Sequence, residues 1–177
     1  MIRPYTPQDC KAVKFIAYAD EQRGSMRGVC AWRCDYYIDN EPRHCFVSTD
    51  EFDKPTGFAI CSVNRKKFAD LYPAYLKTVK EESRKSYRAE KRLLKKLSAL
   101  PPNYSARMVI SVLPSFRGKG EAKALIQTLI DHLKTTKAKG LYTVTDTPSA
   151  VAFCERMGFH KVMRIDKKRC VYGFDLK

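Results

Sequence analysis

Gly118 and Gly120 stand two apart in the run Arg117-Gly118-Lys119-Gly120-Glu121-Ala122-Lys123, between an apolar stretch and a segment with helical periodicity. That order describes an anion cradle. Met108, Val109, Ile110 and Val112 give residues 106–113 the character of a strand. Ala122, Leu125, Ile126, Leu129, Ile130 and Leu133 recur at the three-and-four spacing that puts one apolar stripe on a helix. The turn between them therefore opens a helix, where the first amide hydrogens lack intrahelical acceptors and the macrodipole presents about half a positive charge. A phosphate suits such a place. Glycine lets the main chain approach a ligand with no Cβ in the way, and Lys119 and Lys123 add cations.

Two familiar phosphate loops do not fit. A Walker loop requires Ser or Thr after Gly-Lys, and here Gly120 follows Lys119. A dinucleotide fingerprint requires a third glycine at position 123, which is lysine. The order Arg117-Gly118-Lys119-Gly120-Glu121-Ala122 does resemble the acyl-CoA loop of the GNAT superfamily of acetyl-CoA-dependent N-acetyltransferases, written Arg/Gln-x-x-Gly-x-Gly/Ala. A second stretch, from Thr147-Pro148-Ser149-Ala150 through Phe153-Cys154 to Gly158-Phe159, is similar to that superfamily's later helix, Asn-x-x-Ala-x-x-Phe-Tyr-x-x-x-Gly-Phe. One helix and one short strand separate the two, as in the superfamily. Asp35-Tyr36-Tyr37, Glu41-Pro42 and Cys45-Phe46-Val47 resemble a bacterial subgroup of it.

The resemblance implies an α/β fold, α+β by some schemes: a mixed, mostly antiparallel sheet flanked by helices. It implies acetyl-CoA as co-substrate and a primary amine, on a small molecule or a protein, as acceptor. Main-chain amides of Arg117, Gly118, Lys119, Gly120, Glu121 and Ala122 would hold the diphosphate. Main-chain groups near Ile110, Ser111 and Val112 would meet the pantetheine arm, with Phe153 beside the coenzyme. Amides there can also stabilise the oxyanion formed as the amine attacks. Cys154 occupies the place of the tyrosine that protonates departing thiolate, and Thr147 that of an asparagine, where it is expected as a helix cap. A lysine ammonium of pKa about 10.4 is deprotonated only about once in 2,500 molecules at pH 7, so such an acceptor requires a base. Glu41 is the preferred candidate among Glu41, Asp35, Asp50 and Glu51 near the early strands.

Composition bounds these expectations. The 177 residues are 44% hydrophobic, enough for one core, and we expect a single domain spanning 1–177. No apolar run of membrane-spanning length occurs, and Met1-Ile2-Arg3-Pro4 lacks the apolar core of a secretory signal, so a cytoplasmic protein, monomer or homodimer, is expected. The seven cysteines are scattered and odd in number, as suits reduced thiols. Cys30 and Cys34 followed by His44-Cys45 invite a zinc reading, but adjacent ligands make joint coordination awkward and no metal is expected. The net charge is +15, and residues 65–96 hold twelve basic against four acidic side chains, more than half the excess. Such a face could draw coenzyme phosphates or RNA, but a solvated helix surface is the favoured reading. A coenzyme-binding module without transferase activity and an RNA-associated basic protein are the alternatives to an enzyme.

Around the cradle, residues 1–5 read as a strand, and Thr6-Pro7-Gln8-Asp9 as the start of a helix toward Asp20. A second helix is expected over 21–32, and a hairpin over 44–64. Residues 65–100 have helical periodicity and form an insertion, two helices broken near 81–85 and closed by Pro101-Pro102. Residues 160–165 and 170–174 read as a final hairpin.

Overall fold

The computed structural model describes residues 1–21 and 24–176. Its frame is a sheet of seven strands: β1 (Ile2–Pro4), β2 (Cys45–Thr49), β3 (Pro55–Ser62), β4 (Tyr104–Val112), β5 (Gly140–Thr145), β6 (His160–Arg164) and β7 (Cys170–Asp175), in the order β1-β2-β3-β4-β5-β7-β6. Every neighbouring pair is antiparallel except β4 with β5. The helices are α1 (Cys10–Glu21), α2 (Met26–Arg33), α3 (Asp35–Asn40), α4 (Arg65–Glu82), α5 (Arg84–Leu97), α6 (Glu121–Lys134) and α7 (Pro148–Arg156). The mixed, mostly antiparallel sheet matches the expected architecture.

Strand alternation divides the core between the two faces. Phe58 and Ile60 of β3 join Val13, Ile16, Tyr36, Tyr72 and Leu76 on the face covered by α1 to α4, while Ala59 and Cys61 turn to Leu125, Ile126, Leu129 and Leu133 of α6. Five residues of α6 are buried, each contributing about 1.5–3 kcal/mol by leaving water. A third cluster, Leu93, Leu97 and Leu100 with Tyr104, Tyr142 and Val171, ties α5 to the far end of the sheet.

Local chemistry places the breaks. Thr6 and Asp9 form a capping box, but the first turn is 3-10 (Pro7–Asp9) and the α-helix starts at Cys10. The expected second helix begins only at Met26, capped by Ser25 Oγ on the Gly28 amide; residues 22 and 23 lie outside the described part. Asn64 caps α4 and Ser83, the break in the insertion, caps α5. Asp35 lies on α3, while Glu41, at the residue that ends α3, is near the early strands as expected, bonded to Ser62 and Val63 at the end of β3. No described helix is long and apolar enough to cross a membrane.

The pairing of β4 with β5 is short. It joins Tyr104, Ala106 and Arg107 to Gly140, Leu141 and Tyr142, and beyond these residues β4 and β5 part. That gap, not the sheet itself, is where the candidate site lies.

Candidate functional site

The Leu113 amide donates to the Thr56 carbonyl of the neighbouring strand β3 at 2.9 Å, and Ser111 is paired with Phe58. Main-chain groups alternate sides along a strand, so Ser111 gives its amide and carbonyl to β3, while Ile110 and Val112 turn theirs toward the gap. Ser111 was expected with them, but its role is different. Its hydroxyl donates to Asp20 Oδ2 at 2.9 Å and accepts from Arg33 Nη2 at 2.8 Å. Arg33 Nη2 also meets Asp20 Oδ2, and Arg117 Nη2 meets Asp20 Oδ1, each at 2.7 Å. Arg117 Nε donates to the Val112 carbonyl at 3.0 Å, so this side chain bridges the gap edge and α1.

At the strand's end the chain turns into α6 through Gly118 (φ +78°) and Gly120 (φ +84°), conformations an L side chain enters only with strain. No atom lies within 4 Å of where a Cβ would stand on either glycine, so the space above both is open. The first intrahelical bond of α6 runs from the Ala124 amide to the Gly120 carbonyl, which leaves the amides of Glu121, Ala122 and Lys123 ahead of it. The carboxylate of Glu121 points elsewhere: it accepts from Ser48 and Thr56 hydroxyls, both at 2.8 Å, and pins the helix start to β2 and β3. Lys119 lies over the Phe116 ring at 4.9 Å.

Two cavities meet here. One, of about 570 Å³, is bounded by Arg117, Gly118, Gly120, Glu121, Ala122, Lys123, Phe153 and Arg156. The other, of about 640 Å³, passes through the gap between β4 and β5 and continues among Trp32, Arg33, Glu90, Leu93, Arg107 and Arg169. Val112, Arg117, Ala122 and Phe153 line both, so they form one channel with a cationic end at Arg117, Lys123 and Arg156 and a second end roofed by α2 and α5. Expected residues Ile110, Ser111, Val112, Arg117, Gly118, Gly120, Glu121, Ala122, Phe153 and Cys154 all border it. Lys119 does not line it, though it stands between the two glycines that do.

Glu41 is not brought to this channel. Its carboxylate is buried and accepts from Tyr36 OH (2.8 Å), Ser62 Oγ (2.6 Å) and the Val63 amide (2.8 Å), a closed set of bonds between α3 and the end of β3. Asp20, Glu21, Glu90 and Asp146 line the second compartment; Asp20 and Glu21 are paired with Arg33, Asp146 is exposed, and the buried one is Glu90, on α5. It is 7% exposed, and burial raises its pKa although Arg107 and Arg169 pull the other way. Its contacts are long, 3.4 Å from Tyr72 OH and 3.7 Å from Arg169 Nη1. The sequence carried a signal for it: Glu90 precedes Leu93 and Leu97 by three and seven residues, an acid on the apolar stripe of a basic helix. Arg107, the one charged residue of a mainly apolar strand, was a second such signal.

Cys154 lines the channel and is packed into the α6 core, with its thiol pushed up to about 11 by burial and by Glu155. Giving a proton to a thiolate of pKa about 8.5 would run uphill by about 3 kcal/mol. Thr147 caps α7 through the Ala150 amide, as expected. Cys30, Cys34 and Asp35 bring ligand atoms within 4.8 Å of one another, but Asp35 is paired with Lys14 at 3.1 Å. Cys45 and His44 are elsewhere, on the Tyr37 and Glu41 carbonyls and on His132 respectively.

Residues 13–159 match the model of the Acetyltransferase (GNAT) family. The chain belongs to the GNAT acetyltransferases. The crystal structure of SsHAT superposes with a TM-score of 0.85 at 21% identity, covering all of this enzyme and 98% of that chain. The Drosophila melanogaster polyamine N-acetyltransferase, which catalyses formation of N-acetylagmatine, gives 0.69 at 8% identity, with 99% of each chain covered. The Escherichia coli ribosomal-protein-S18-alanine N-acetyltransferase gives 0.57 at 17%, covering all of this enzyme and 94% of that one. At such identities the likeness concerns the fold. No curated protein sequence matches the chain.

Proposed function

We propose that this GNAT enzyme transfers the acetyl group of acetyl-CoA to a primary amine within a ternary complex, and that residues 1–177 act as one catalytic unit. The observation that carries the reading is the continuity of the channel. The open turn at Gly118 and Gly120, the Ile110 main chain and the Val112 amide border the same space as the buried acid Glu90.

The coenzyme fits the residues present. Amides of the α6 first turn, with Arg117, Lys119 and Lys123 around them, would hold its diphosphate. The free strand edge at Ile110 and Val112 would hold its amide-bearing arm, since an extended arm satisfies main-chain groups that β5 leaves unpaired. When bound, acetyl-CoA supplies a thioester for aminolysis. The Ile110 and Val112 amides, fixed by the sheet, stabilise negative charge developing on a carbonyl in the gap. Glu90 takes the proton that the ammonium must lose, and burial, by raising its pKa, makes it a stronger base than an exposed carboxylate. The Asp20, Arg33, Ser111 and Arg117 network holds α1 and α2 against β4 and so sets the width of the gap. Cys154 packs the channel wall; its raised pKa fits it poorly for giving up a proton.

Calorimetry and thiol release test this together. Wild type is expected to bind acetyl-CoA saturably and release thiol with an amine; Gly120→Asp, which sets a side chain and negative charge in the cradle, is expected to lose at least about 100-fold in affinity. Wild-type binding without thiol release across amines would identify a coenzyme-binding module instead.

A further inference from the structure

Two opposite charges stand nearly out of solvent in the compartment where the amine must arrive. Arg107 leaves β4 with its guanidinium 4.8 Å from the Phe68 ring centre and 5.6 Å from that of Tyr72. It is 7% exposed, and its Nη1 has no hydrogen-bond partner among the described residues. A buried donor left unmet costs about 1–3 kcal/mol, more on a charged group, so such an atom calls for a ligand or an ordered water. The neighbouring arginines of the channel each have a carboxylate partner, Arg33 with Asp20 at 2.7 Å, Arg169 with Asp166 at 2.8 Å and Arg117 with Asp20 at 2.7 Å; Arg33 Nε is likewise buried without a partner, but Arg107 is the one of the four that makes no ion pair among the described residues. Glu90 lines the same compartment with only the long contacts given above, and the Tyr72 hydroxyl near it makes its shorter bond to the Trp32 carbonyl, at 2.9 Å. Tyr72 lies between them, its hydroxyl 3.4 Å from Glu90 Oε2 and its ring centre 5.6 Å from the Arg107 guanidinium, so cation and anion line one compartment on either side of it.

We propose, resting on the transferase reading above, that the acceptor is a free amino acid or a zwitterion as compact, its carboxylate received by Arg107 and its ammonium by Glu90. The planar guanidinium offers a carboxylate a fork of donors, and the adjacent acid selects a ligand whose own charges are adjacent. A polyamine brings cations alone and leaves Arg107 unmet. A peptide N-terminus brings an amide where the carboxylate should be. Trp32 and Leu93 supply an apolar wall for the acceptor's side chain. In the reaction the ammonium first gives one proton by way of the Glu90 carboxylate to solvent; the nitrogen lone pair so freed forms the amide bond as the thioester C–S bond breaks, and the second proton lost by nitrogen passes to the Glu90 carboxylate and from it to the departing sulfur. N-acetyl amino acid and CoA thiol leave, and the product, no longer an ammonium, has lost its attraction to Glu90.

The test is thiol release by wild-type enzyme with free amino acids, the same amino acids as carboxamides, polyamines and short peptides, alongside calorimetry with acetyl-CoA. The expected result is turnover of at least one free amino acid, with its carboxamide at least about 100-fold poorer in kcat/KM. Arg107→Gln is expected to abolish that preference while binding acetyl-CoA as wild type does, and Arg107→Lys to recover part of it. Carboxamides, polyamines or peptides reacting as well as free acids would overturn the inference and leave the transferase reading standing; Arg107 would then be completed by a water. Turnover of no amine in the panel despite acetyl-CoA binding would overturn it as well. A wild type that binds no acetyl-CoA would overturn the transferase reading first. The acid-against-amide comparison is made on wild type, so a misfolded variant does not remove the test.

Discussion

Glu41 and Glu90 are both buried glutamates, and their partners separate their roles. Glu41 accepts three hydrogen bonds and has no path to the channel, whereas Glu90 has loose contacts and lines it. Glu41→Gln turns an amide group onto donors that require an acceptor, so we expect a loss of about 1–3 kcal/mol in urea unfolding with kcat little changed. Glu90→Gln is expected to do the reverse, lowering kcat by about 100-fold or more with acetyl-CoA affinity retained. At Cys154, a general acid would be worth about 10²–10⁴ in rate, so Cys154→Ala distinguishes packing from proton transfer. With its thiol raised to about 11, activity within about threefold of wild type is expected in a thiol-release assay. The preference for Glu41 arose because residue type and nearness to early strands are visible in sequence, but the bonds that occupy a carboxylate are not.

Among elements, α6 has the heaviest task, since its start must face the channel while its stripe packs the sheet. Glu121 anchors the start to β2 and β3, and His132 near its end meets His44, the residue before β2, at 2.8 Å between ring nitrogens. One ring must donate and the other accept, which two imidazolium rings cannot do. Burial lowers both pKa values, and for His44 the His132 charge adds to it, with Arg43 lowering and Glu41 raising. The unfolded chain therefore binds protons that the folded one refuses, so this contribution to stability is whole above about pH 6.5 and is lost as pH falls through the lower folded values. Urea midpoints measured from pH 7.5 to 5 are expected to fall in wild type and to fall less in His132→Gln. The helices of the insertion were readable from periodicity and their break from Ser83, an N-cap with no internal glycine needed. That α5 would carry its acid back to β4 was not readable, because periodicity gives a helix's apolar face but not what lies opposite it.

For the molecule as a whole, the exposed basic excess and the channel separate. Lys77, Arg84, Arg88 and Lys95 are exposed, and none of them lines the channel. Charges in water are screened over about 8 Å at physiological salt, so reversing these four to Glu is expected to leave KM for acetyl-CoA within about threefold. A larger change, or the loss of a tight, salt-sensitive RNA complex on reversal, would give that face a function the solvated reading denies it.

Linear order alone determined the glycine turn, the strand before it, the stripe after it and the second motif, because each depends on neighbours within a turn or a pleat. It determined the family and the seven strands to within a few residues for the same reason. The channel was decided in three dimensions. Only the parting of β4 from β5 frees the Ile110 main chain and the Val112 amide, and only the return of α2 and α5 brings Glu90 and Arg107 to one compartment. These are contacts between residues distant in the chain, chosen by which faces bury together, and no local spacing encodes them.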